Sequence, residues 1–325
     1  MNADIERPMA RVESLSIVIP VFNAARTIVP LLDRLGDSLT KLALPFEVIA
    51  VNDGSRDDSW HLIERELSHR PWLTCIDLSR NFGQHNALLC GIRAARHNVI
   101  ITLDDDLQHP PEEIPKLLDL LSGGCDVVYG SPEHERHGFW RDMASQVTKL
   151  VLGRVLGAAT ARQVSGFRAF RTDLRQAFEE YSGPSVNIDV LLTWATTNFK
   201  AVRVRHETRQ DGASNYTLWK LTEHALNMLT GFSTVPLQIA SVLGFVLTAL
   251  GIFLLGYVIL RYVIQGVVVP GFAFLATVIV IFSGAELFAL GMIGEYLARM
   301  HLRVMRHPSY AIRRESRSHL TSSGR

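Results

Sequence analysis

The chain has 325 residues, of which 47% are hydrophobic, and a formal net charge of +1 at pH 7. This length accommodates one large domain or two modest ones, and a net charge near zero gives no reason to expect a nucleic-acid partner. The apolar residues concentrate after residue 224, so a part with the composition of a soluble domain precedes an apolar part.

The N-terminal segment, residues 1–14, has no apolar core of the kind found in signal peptides. The domain that follows is therefore expected to stay on the side of the membrane where it is made. The cysteines are scattered, and their positions do not match the spacing of metal ligands. We expect them to be buried thiols in a reducing compartment. They are Cys75, Cys90 and Cys125.

Short apolar runs alternate with helical patterns through the first 130 residues. The predicted strands are 15–21, 46–53, 72–78, 98–106 and 125–130, and the predicted helices are 25–41, 58–69, 84–96 and a fourth that begins at Pro110 and Pro111. This alternation predicts an α/β fold with a mostly parallel sheet. In such sheets ligands bind at the carboxyl ends of the strands, where Asp53 and the acidic run 104–106 are expected.

Two later segments, about 139–157 and 216–229, have apolar residues at helical spacing with basic residues on other faces. Each predicts an amphipathic helix. For the first segment two positions stay open, packed on the sheet or lying in a membrane interface. The second has the same character and leads directly into the apolar part of the chain.

Residues 225–260 contain no charged side chain, and about 20 apolar residues suffice to span a bilayer. We predict two transmembrane helices, at about 235–257 and 272–293. The predicted organisation is a front domain (1–230), a membrane hairpin (231–298) and a basic tail (299–325). With two spans, the chain is predicted to be a multi-pass protein of the cytoplasmic membrane. The excess of arginine in the tail predicts that both termini lie in the cytoplasm. The last dozen residues are predicted to be disordered.

Asp104 and Asp106 lie two residues apart at a predicted strand end, where side-chain alternation aims both carboxylates the same way. Two adjacent carboxylates repel each other unless a cation lies between them, and Mg²⁺ typically takes one or two carboxylates plus substrate phosphates. The pattern favours a Mg²⁺ or Mn²⁺ site that neutralises a diphosphate leaving group. The alternative is a solvated acidic turn.

Asp53, next to Gly54, stands where a carboxylate can accept hydrogen bonds from a base or ribose. The alternatives are a helix N-cap and an Asx turn. The first predicted strand is followed by no GxGxxG pattern, which argues against a nicotinamide-binding domain. The two acidic sites at strand ends are together more informative than either one alone.

Six stretches carry a family resemblance. They are SIVIPVFN at 16–23, VNDGS at 51–55, SRNFGQHNALLCGI at 79–92, TLDDDLQHPPEEIP at 102–115, SGFRAF at 165–170 and RHETRQDGASNYTLWKL at 205–221. From about residue 14 to 310 the chain resembles the polyprenyl-phosphate glycosyltransferases of glycosyltransferase family 2. It is most similar to the undecaprenyl-phosphate 4-deoxy-4-formamido-L-arabinose transferases and the bactoprenol glucosyltransferases.

This resemblance implies a GT-A fold and an enzyme that transfers a sugar, with inversion, from a nucleotide-sugar to undecaprenyl phosphate. The donor is expected to be UDP-linked, and the reaction to take place at the cytoplasmic face of the membrane. The product would serve lipid A, O-antigen or cell-wall modification. The resemblance also implies a homo-oligomer, often a tetramer. Small residues near Glu286 in the second span permit the close helix approach that this needs.

The resemblance also assigns site residues. It implies nucleotide-sugar contacts from Pro20, Asp53, Gln84, Asp104, Asp105 and Gln108, metal ligation by Asp106 and Asp104, and acceptor-phosphate contacts from Arg168, Arg209 and Ser214. Asp104, Asp106, Arg168 and Arg209 are the expected catalytic residues. A lipid phosphate is already ionised near neutral pH, since its second pKa is about 6, so no dedicated base is expected.

Three other functions compete with this one. A processive polysaccharide synthase shares the catalytic domain but usually carries QxxRW and more membrane helices, and QxxRW is not found in this sequence. A non-catalytic membrane scaffold derived from the same fold is expected to lose its acidic residues, which are kept here. Hydrolysis of the nucleotide-sugar would differ only in giving no lipid product.

Overall fold

The computed structural model describes residues 11–132, 164–183, 186–207, 235–265, 271–305 and 308–318. The predicted amphipathic segments 139–157 and 216–229 lie outside these residues, as do Arg209 and Ser214. The chain divides into two compact units. The first consists of Met1–Leu221 together with His307–Arg325, and the second of Thr222–Arg306.

Strands and helices alternate through the first unit. In chain order its described elements are β1 (Leu15–Val21), α1 (Ile28–Thr40), β2 (Phe46–Asn52), α2 (Ser59–Glu66), β3 (Leu73–Leu78), α3 (Gln84–Ala94), β4 (Val99–Thr102), α4 (Ile114–Ser122), β5 (Val127–Pro132), β6 (Arg168–Arg171), α5 (Ile188–Ala195), β7 (Phe199–Val204) and β8 (Ile312–Arg317). Short 3₁₀ helices cover Pro111–Glu113 and Thr172–Phe178.

The described strands form one sheet in the order β7-β5-β6-β4-β1-β2-β3-β8. Strands β4, β1, β2 and β3 are mutually parallel, and β7 is parallel to β5. Strands β6 and β8 run antiparallel to their neighbours. Every residue of β1 and of β3 is buried, as is usual for parallel strands covered on both faces. The mostly parallel α/β sheet predicted from the sequence is confirmed.

Helix α1 shows why this sequence packs as it does. Its apolar side chains recur at helical spacing, so they lie on one face and are buried in the same core as β1. The buried set is Ile28, Leu31, Leu32, Leu35 and Leu39. Packing of this kind against the central strands fixes the positions of their carboxyl ends.

The predicted strand at 98–106 is wrong in its second half, because β4 ends at Thr102. Residues 105 and 106 form a turn, and Leu107, directly after it, adopts a left-handed φ of 61°. Asp104 and Asp106 therefore belong to a tight loop. The alternation of side chains along a strand, from which we expected their carboxylates to point the same way, does not apply to them.

The predicted disorder of the last dozen residues is also wrong in part, because β8 spans Ile312–Arg317 and pairs with β3. The strand is polar and mostly exposed, so it carries little of the apolar signal by which strands are recognised. Its arginines instead reach acidic partners on the first unit, as in the ion pair of Arg314 with Glu64 at 3.1 Å. The segment after the apolar helices is thus an edge strand of the sheet.

The second unit contains α6 (Val235–Gln265) and α7 (Phe272–Val304), which are longer than the predicted spans. Two stretches within them are long and apolar enough to cross a membrane, by length and composition, at Leu237–Arg261 and Ile281–Leu302. Most of their large apolar side chains are exposed. Glu286 lies in α7 and is also exposed.

Candidate active site

The loop that begins at Asp53 and the acidic loop 104–106 meet at the centre of the sheet. Strand β1 lies between β4 and β2, with Val18 opposite Thr102 and Val21 opposite Asn52. The backbone N–H of Asp53 donates to the carbonyl of Val21 at 2.8 Å. The loop that follows β2 therefore begins beside the last residue of β1. The residues that follow β1, β2 and β4 therefore share one edge of the sheet, as predicted for a ligand site.

Asp53 is 2% exposed, and both carboxylate oxygens accept backbone hydrogen bonds. The donors are the N–H groups of Phe82, at 2.7 Å, and Gly83, at 2.8 Å. Burial raises the pKa of Asp53, and these two hydrogen bonds offset part of that rise. The carboxylate thus holds the loop that leads into α3.

Gly54 explains how the two loops come so close. Its φ is 64°, and a Cβ at this position would lie 2.5 Å from the carbonyl carbon of Arg80 and 2.6 Å from the nitrogen of Asn81. Backbone atoms cannot move aside as a flexible side chain can, so a larger residue would separate the loops. The loops formed by the VNDG and SRNFG stretches therefore pack directly against each other.

Asp105 ties the acidic loop to the end of β1, because its Oδ2 accepts a hydrogen bond from the Phe22 N–H at 3.0 Å. Burial raises the pKa of Asp105 to about 7; the Phe22 hydrogen bond opposes the rise, and the charges of Asp104 and Asp106 add to it. Three carboxyl groups in sequence thus concentrate negative charge at this edge of the sheet.

The flanking carboxylates are held in different ways. Asp104 accepts a hydrogen bond from Gln84 Nε2 at 2.7 Å, and Asp106 accepts one from the backbone N–H of Gln108 at 3.1 Å. Among the described residues no cluster of three or more metal-ligating side chains occurs. Carboxylate oxygens suit Mg²⁺ and Mn²⁺, so a metal held here would draw its remaining ligands from substrate phosphates or water.

Arg168 lies inside the protein, 2% exposed, and not at the surface of this site. Its Nη1 pairs with Oδ1 of Asp189, its Nε donates to Thr102 Oγ1 at 3.1 Å, and Tyr129 also donates to Asp189, at 3.0 Å. These contacts brace β6 against β4 and α5. A phosphate contact from this side chain, as the resemblance implies, would require the pair to open.

The segment before residue 208 packs against the acidic loop. The N–H of Glu207 donates to the carbonyl of Gln108 at 2.9 Å, and Arg34 bridges Glu112 and Glu207 at 2.8 and 2.9 Å. Arg205 pairs with Glu113, which lies in the same 3₁₀ helix as Glu112. No local sequence pattern indicates these contacts, since they join residues far apart in the chain.

His109 is buried next to the acidic loop and packs against the buried ring of Phe167 and the exposed ring of His206. Its ring lies 5.1 Å from that of His206 and 5.5 Å from that of Phe167, and Nε2 is 3.4 Å from Ser165 Oγ. Burial lowers the pKa of His109 to about 4; His206 contributes to this, whereas Asp106 opposes it. A neutral His109 is therefore favoured at this position beside the acidic loop. Pro20, a predicted nucleotide-sugar contact, is buried in β1 opposite Val51.

Comparison with known proteins gives the family. Residues 16–181 match the model of the glycosyl transferase family 2. The chain is 33% identical to an undecaprenyl-phosphate 4-deoxy-4-formamido-L-arabinose transferase of Pseudomonas syringae pv. syringae, over 94% of this chain and 92% of that protein. The same name belongs to a relative from Yersinia enterocolitica that is 32% identical over 94% of both chains.

Among solved structures, a mycobacterial protein superposes with a TM-score of 0.50 at 19% identity, covering 67% of this chain and 73% of its own. That likeness concerns the fold alone, and the mostly parallel sheet is like that of GT-A glycosyltransferases. The family match and the relatives at 33% identity confirm the resemblance seen in the sequence. The chain belongs to glycosyltransferase family 2 and is an enzyme of that class.

Proposed function

We propose that the protein transfers a sugar, with inversion, from a UDP-linked donor to undecaprenyl phosphate or a similar polyprenyl phosphate. The observation that carries this proposal is the meeting of the Asp53 loop and the acidic loop 104–106 at the centre of the sheet. Both relatives are named as undecaprenyl-phosphate transferases, which supports the lipid acceptor. Two helices apolar enough to cross a membrane fit an acceptor that stays in a bilayer.

On the donor side, Asp53 holds the 79–83 loop in place for the nucleotide. Asp104 and Asp106 would hold Mg²⁺ or Mn²⁺, which neutralises the negative charge that develops on the departing diphosphate. Gln84 orients Asp104 through the hydrogen bond between them. Gln108 follows Asp106 closely enough to lie beside the sugar or its phosphates.

On the acceptor side, the lipid phosphate is ionised near neutral pH and attacks the anomeric carbon through one of its oxygens. That step forms the new C–O bond while the bond to UDP breaks, and UDP leaves with the electron pair. Arg209 and Ser214 are proposed to hold the lipid phosphate, since a guanidinium matches phosphate oxygens in a planar fork. For Arg168 we propose a positioning role through Asp189.

The location also remains a proposal. The chain leaves the first unit before α6 and returns to it after α7, so a hairpin across the membrane would bring both connections to one side. The arginines of the tail favour the cytoplasmic side. Cysteine labelling of intact cells should modify Val268→Cys and leave Ser322→Cys unmodified until the cells are permeabilised. Labelling of Ser322→Cys in intact cells would overturn this topology.

The decisive experiment incubates the purified full chain with undecaprenyl phosphate and a panel of nucleotide-sugars, followed by mass spectrometry of the lipids. We expect one donor to give undecaprenyl phosphate carrying a single sugar. A polymer would indicate a processive synthase, and sugar release that does not depend on lipid would indicate a hydrolase. No turnover with any donor would favour the scaffold.

A further inference from the structure

The segment that follows α7 does more than extend the sheet. Strand β8 pairs with β3 in antiparallel register, with Asp77 opposite Arg314 and Leu78 opposite Ile312. One residue of β8, Arg313, is therefore extra, and the register shift at this point is a β-bulge. Bulges redirect side chains and are frequent beside active sites.

The bulged residue reaches back across the end of β3. Arg313 Nη2 donates to the carbonyl of Ser79 at 2.5 Å, and Nη1 lies 3.4 Å from Oδ2 of Asp77. The backbone N–H of Ser79 in turn donates to the carbonyl of Ala311 at 2.9 Å. Both polar backbone groups of Ser79, the first residue after β3, are thus held, one by Arg313 and the other by Ala311, the residue before β8.

Two routes lead from Arg313 to Asp53. The first runs through Asp77, whose Oδ1 accepts a hydrogen bond at 2.7 Å from Nδ2 of Asn52, the residue before Asp53. Asp77 is 4% exposed and Asn52 is 2% exposed, so the hydrogen bond between these two side chains is shielded from water. In a site of low dielectric constant, a charged hydrogen bond of this kind holds its partners firmly.

The second route runs along the backbone. Ser79 opens the segment 79–83, which packs its backbone on Gly54 and donates the N–H groups of Phe82 and Gly83 to Asp53. A shift of Ser79 would therefore be passed to the amides that hold the Asp53 carboxylate. Both routes place Arg313 behind the loop that the nucleotide is proposed to meet.

We propose that Arg313 is a positioning residue for nucleotide-sugar binding and sets the 79–83 loop against Asp53. This inference rests on the proposed function, since it assigns that loop to the donor side. Arg314 provides a matched control, because it stands on the same strand and its side chain is equally exposed, at 57%. Arg314 instead contacts Glu64 and lies over the ring of Trp60.

The experiment compares the full chain in mild detergent with Arg313→Ala, Arg313→Lys and Arg314→Ala. UDP affinity is measured by calorimetry, and the KM values for donor and lipid acceptor are measured separately. We expect Arg313→Ala to bind UDP about tenfold more weakly, the size of effect typical of a lost charged hydrogen bond. The KM for the donor should rise, the KM for the acceptor should stay unchanged, and Arg313→Lys should recover part of the loss.

Hydrogen exchange without any ligand tests the positioning role independently of the reaction. The amides of Phe82 and Gly83 should exchange faster in Arg313→Ala, whereas those of β1 should keep their wild-type rates. Wild-type UDP affinity and exchange in Arg313→Ala would overturn the inference, as would equal losses in Arg314→Ala. If the wild-type protein does not bind UDP, the proposed donor is wrong, and the exchange rates still decide the role of Arg313.

Discussion

Gly166 lies directly against the carboxylate of Asp104. A Cβ at residue 166 would fall 2.5 Å from Oδ2 and 2.9 Å from Oδ1 of Asp104. The carboxylate is also held by Gln84, so it cannot turn away without losing that hydrogen bond. The SGFRAF stretch therefore packs against Asp104, one of the proposed metal ligands, and limits where its carboxylate can lie.

This contact predicts a selective effect of Gly166→Ala. The added methyl group should displace the Asp104 carboxylate and lower kcat/KM by about tenfold or more, since a misplacement of about 1 Å near the reacting groups is costly. The melting temperature should change little. Gly244→Ala, where an added Cβ meets no atom within 4 Å, serves as the control. Normal kinetics in Gly166→Ala would show that Asp104 does not depend on this contact.

Removal of a proposed metal ligand should abolish most activity. In Asp106→Asn we expect kcat to fall about a hundredfold, or ~2.7 kcal/mol of transition-state stabilisation. Excess EDTA should inactivate the wild-type protein, and Mg²⁺ or Mn²⁺ should restore it. Asp119→Asn, an exposed acidic residue on α4, should behave like wild type. Full activity in EDTA would exclude the metal.

The buried pair of Arg168 and Asp189 predicts a loss of stability when either partner is removed alone. Arg168→Met should lower the free energy of unfolding by about 3–5 kcal/mol, because it leaves an unpaired charge inside the protein. The double variant Arg168→Met with Asp189→Leu should recover much of this loss. Thermal denaturation measures both. If Arg168→Met keeps the wild-type melting temperature but loses acceptor use, Arg168 contacts phosphate directly.

Glu47 predicts a pH dependence of stability away from the site. Burial by itself raises the pKa of its carboxyl, but hydrogen bonds from Arg96 and Ser16 outweigh burial and hold the pKa below its ordinary value of 4.5. The ionised form is therefore favoured by folding, so this stability is present above pH 4.5 and is lost as pH falls through the lower folded pKa.

Glu47→Gln should accordingly reduce the free energy of unfolding by about 1–3 kcal/mol at pH 7, as expected for lost hydrogen bonds to a charged group. The difference from wild type should shrink as the pH falls below the ordinary pKa of glutamate. Denaturation midpoints between pH 3 and 7, about the range of carboxylate titration, measure the effect. A difference that stays constant over this range would contradict the pKa direction.

Arg209→Ala should weaken use of the lipid acceptor without weakening binding of the nucleotide. We expect the KM for undecaprenyl phosphate to rise by about tenfold or more through loss of a charged contact to phosphate, while UDP affinity stays near wild type. Arg209→Lys should restore little, since an ammonium lacks the planar fork. Calorimetry with UDP and kinetics against lipid measure the two effects. A collapse of UDP affinity with normal acceptor dependence would move Arg209 to the donor side.

Local sequence predicted the centre of the sheet well, because β1, β2 and β3 are continuous apolar runs bounded by turns. It overextended β4, because the apolar run continues past the end of the strand at Thr102 to Leu103. The Asp53 carboxylate was predicted to accept hydrogen bonds from a base or ribose, and in the structure it accepts them from backbone amides 29 and 30 residues away. Partners of this kind depend on tertiary structure and not on local pattern.

The contacts of Arg168 and Arg313 could not be predicted for the same reason. The partner of Arg168 becomes apparent only when β6 is placed beside β4 and near α5. The partners of Arg313 lie 234 and 236 residues earlier in the chain, and the sequence of β8 is too polar to suggest a strand.

The position of β8 in the chain also orders the events of biosynthesis. A ribosome makes β1 to β7 first, then both apolar helices, and only then the strand that carries Arg313. If Arg313 sets the donor loop, a nascent chain has its acidic loop long before it can hold a nucleotide-sugar firmly. Competence to use a costly activated sugar would then arise only in molecules whose two apolar helices have already been made.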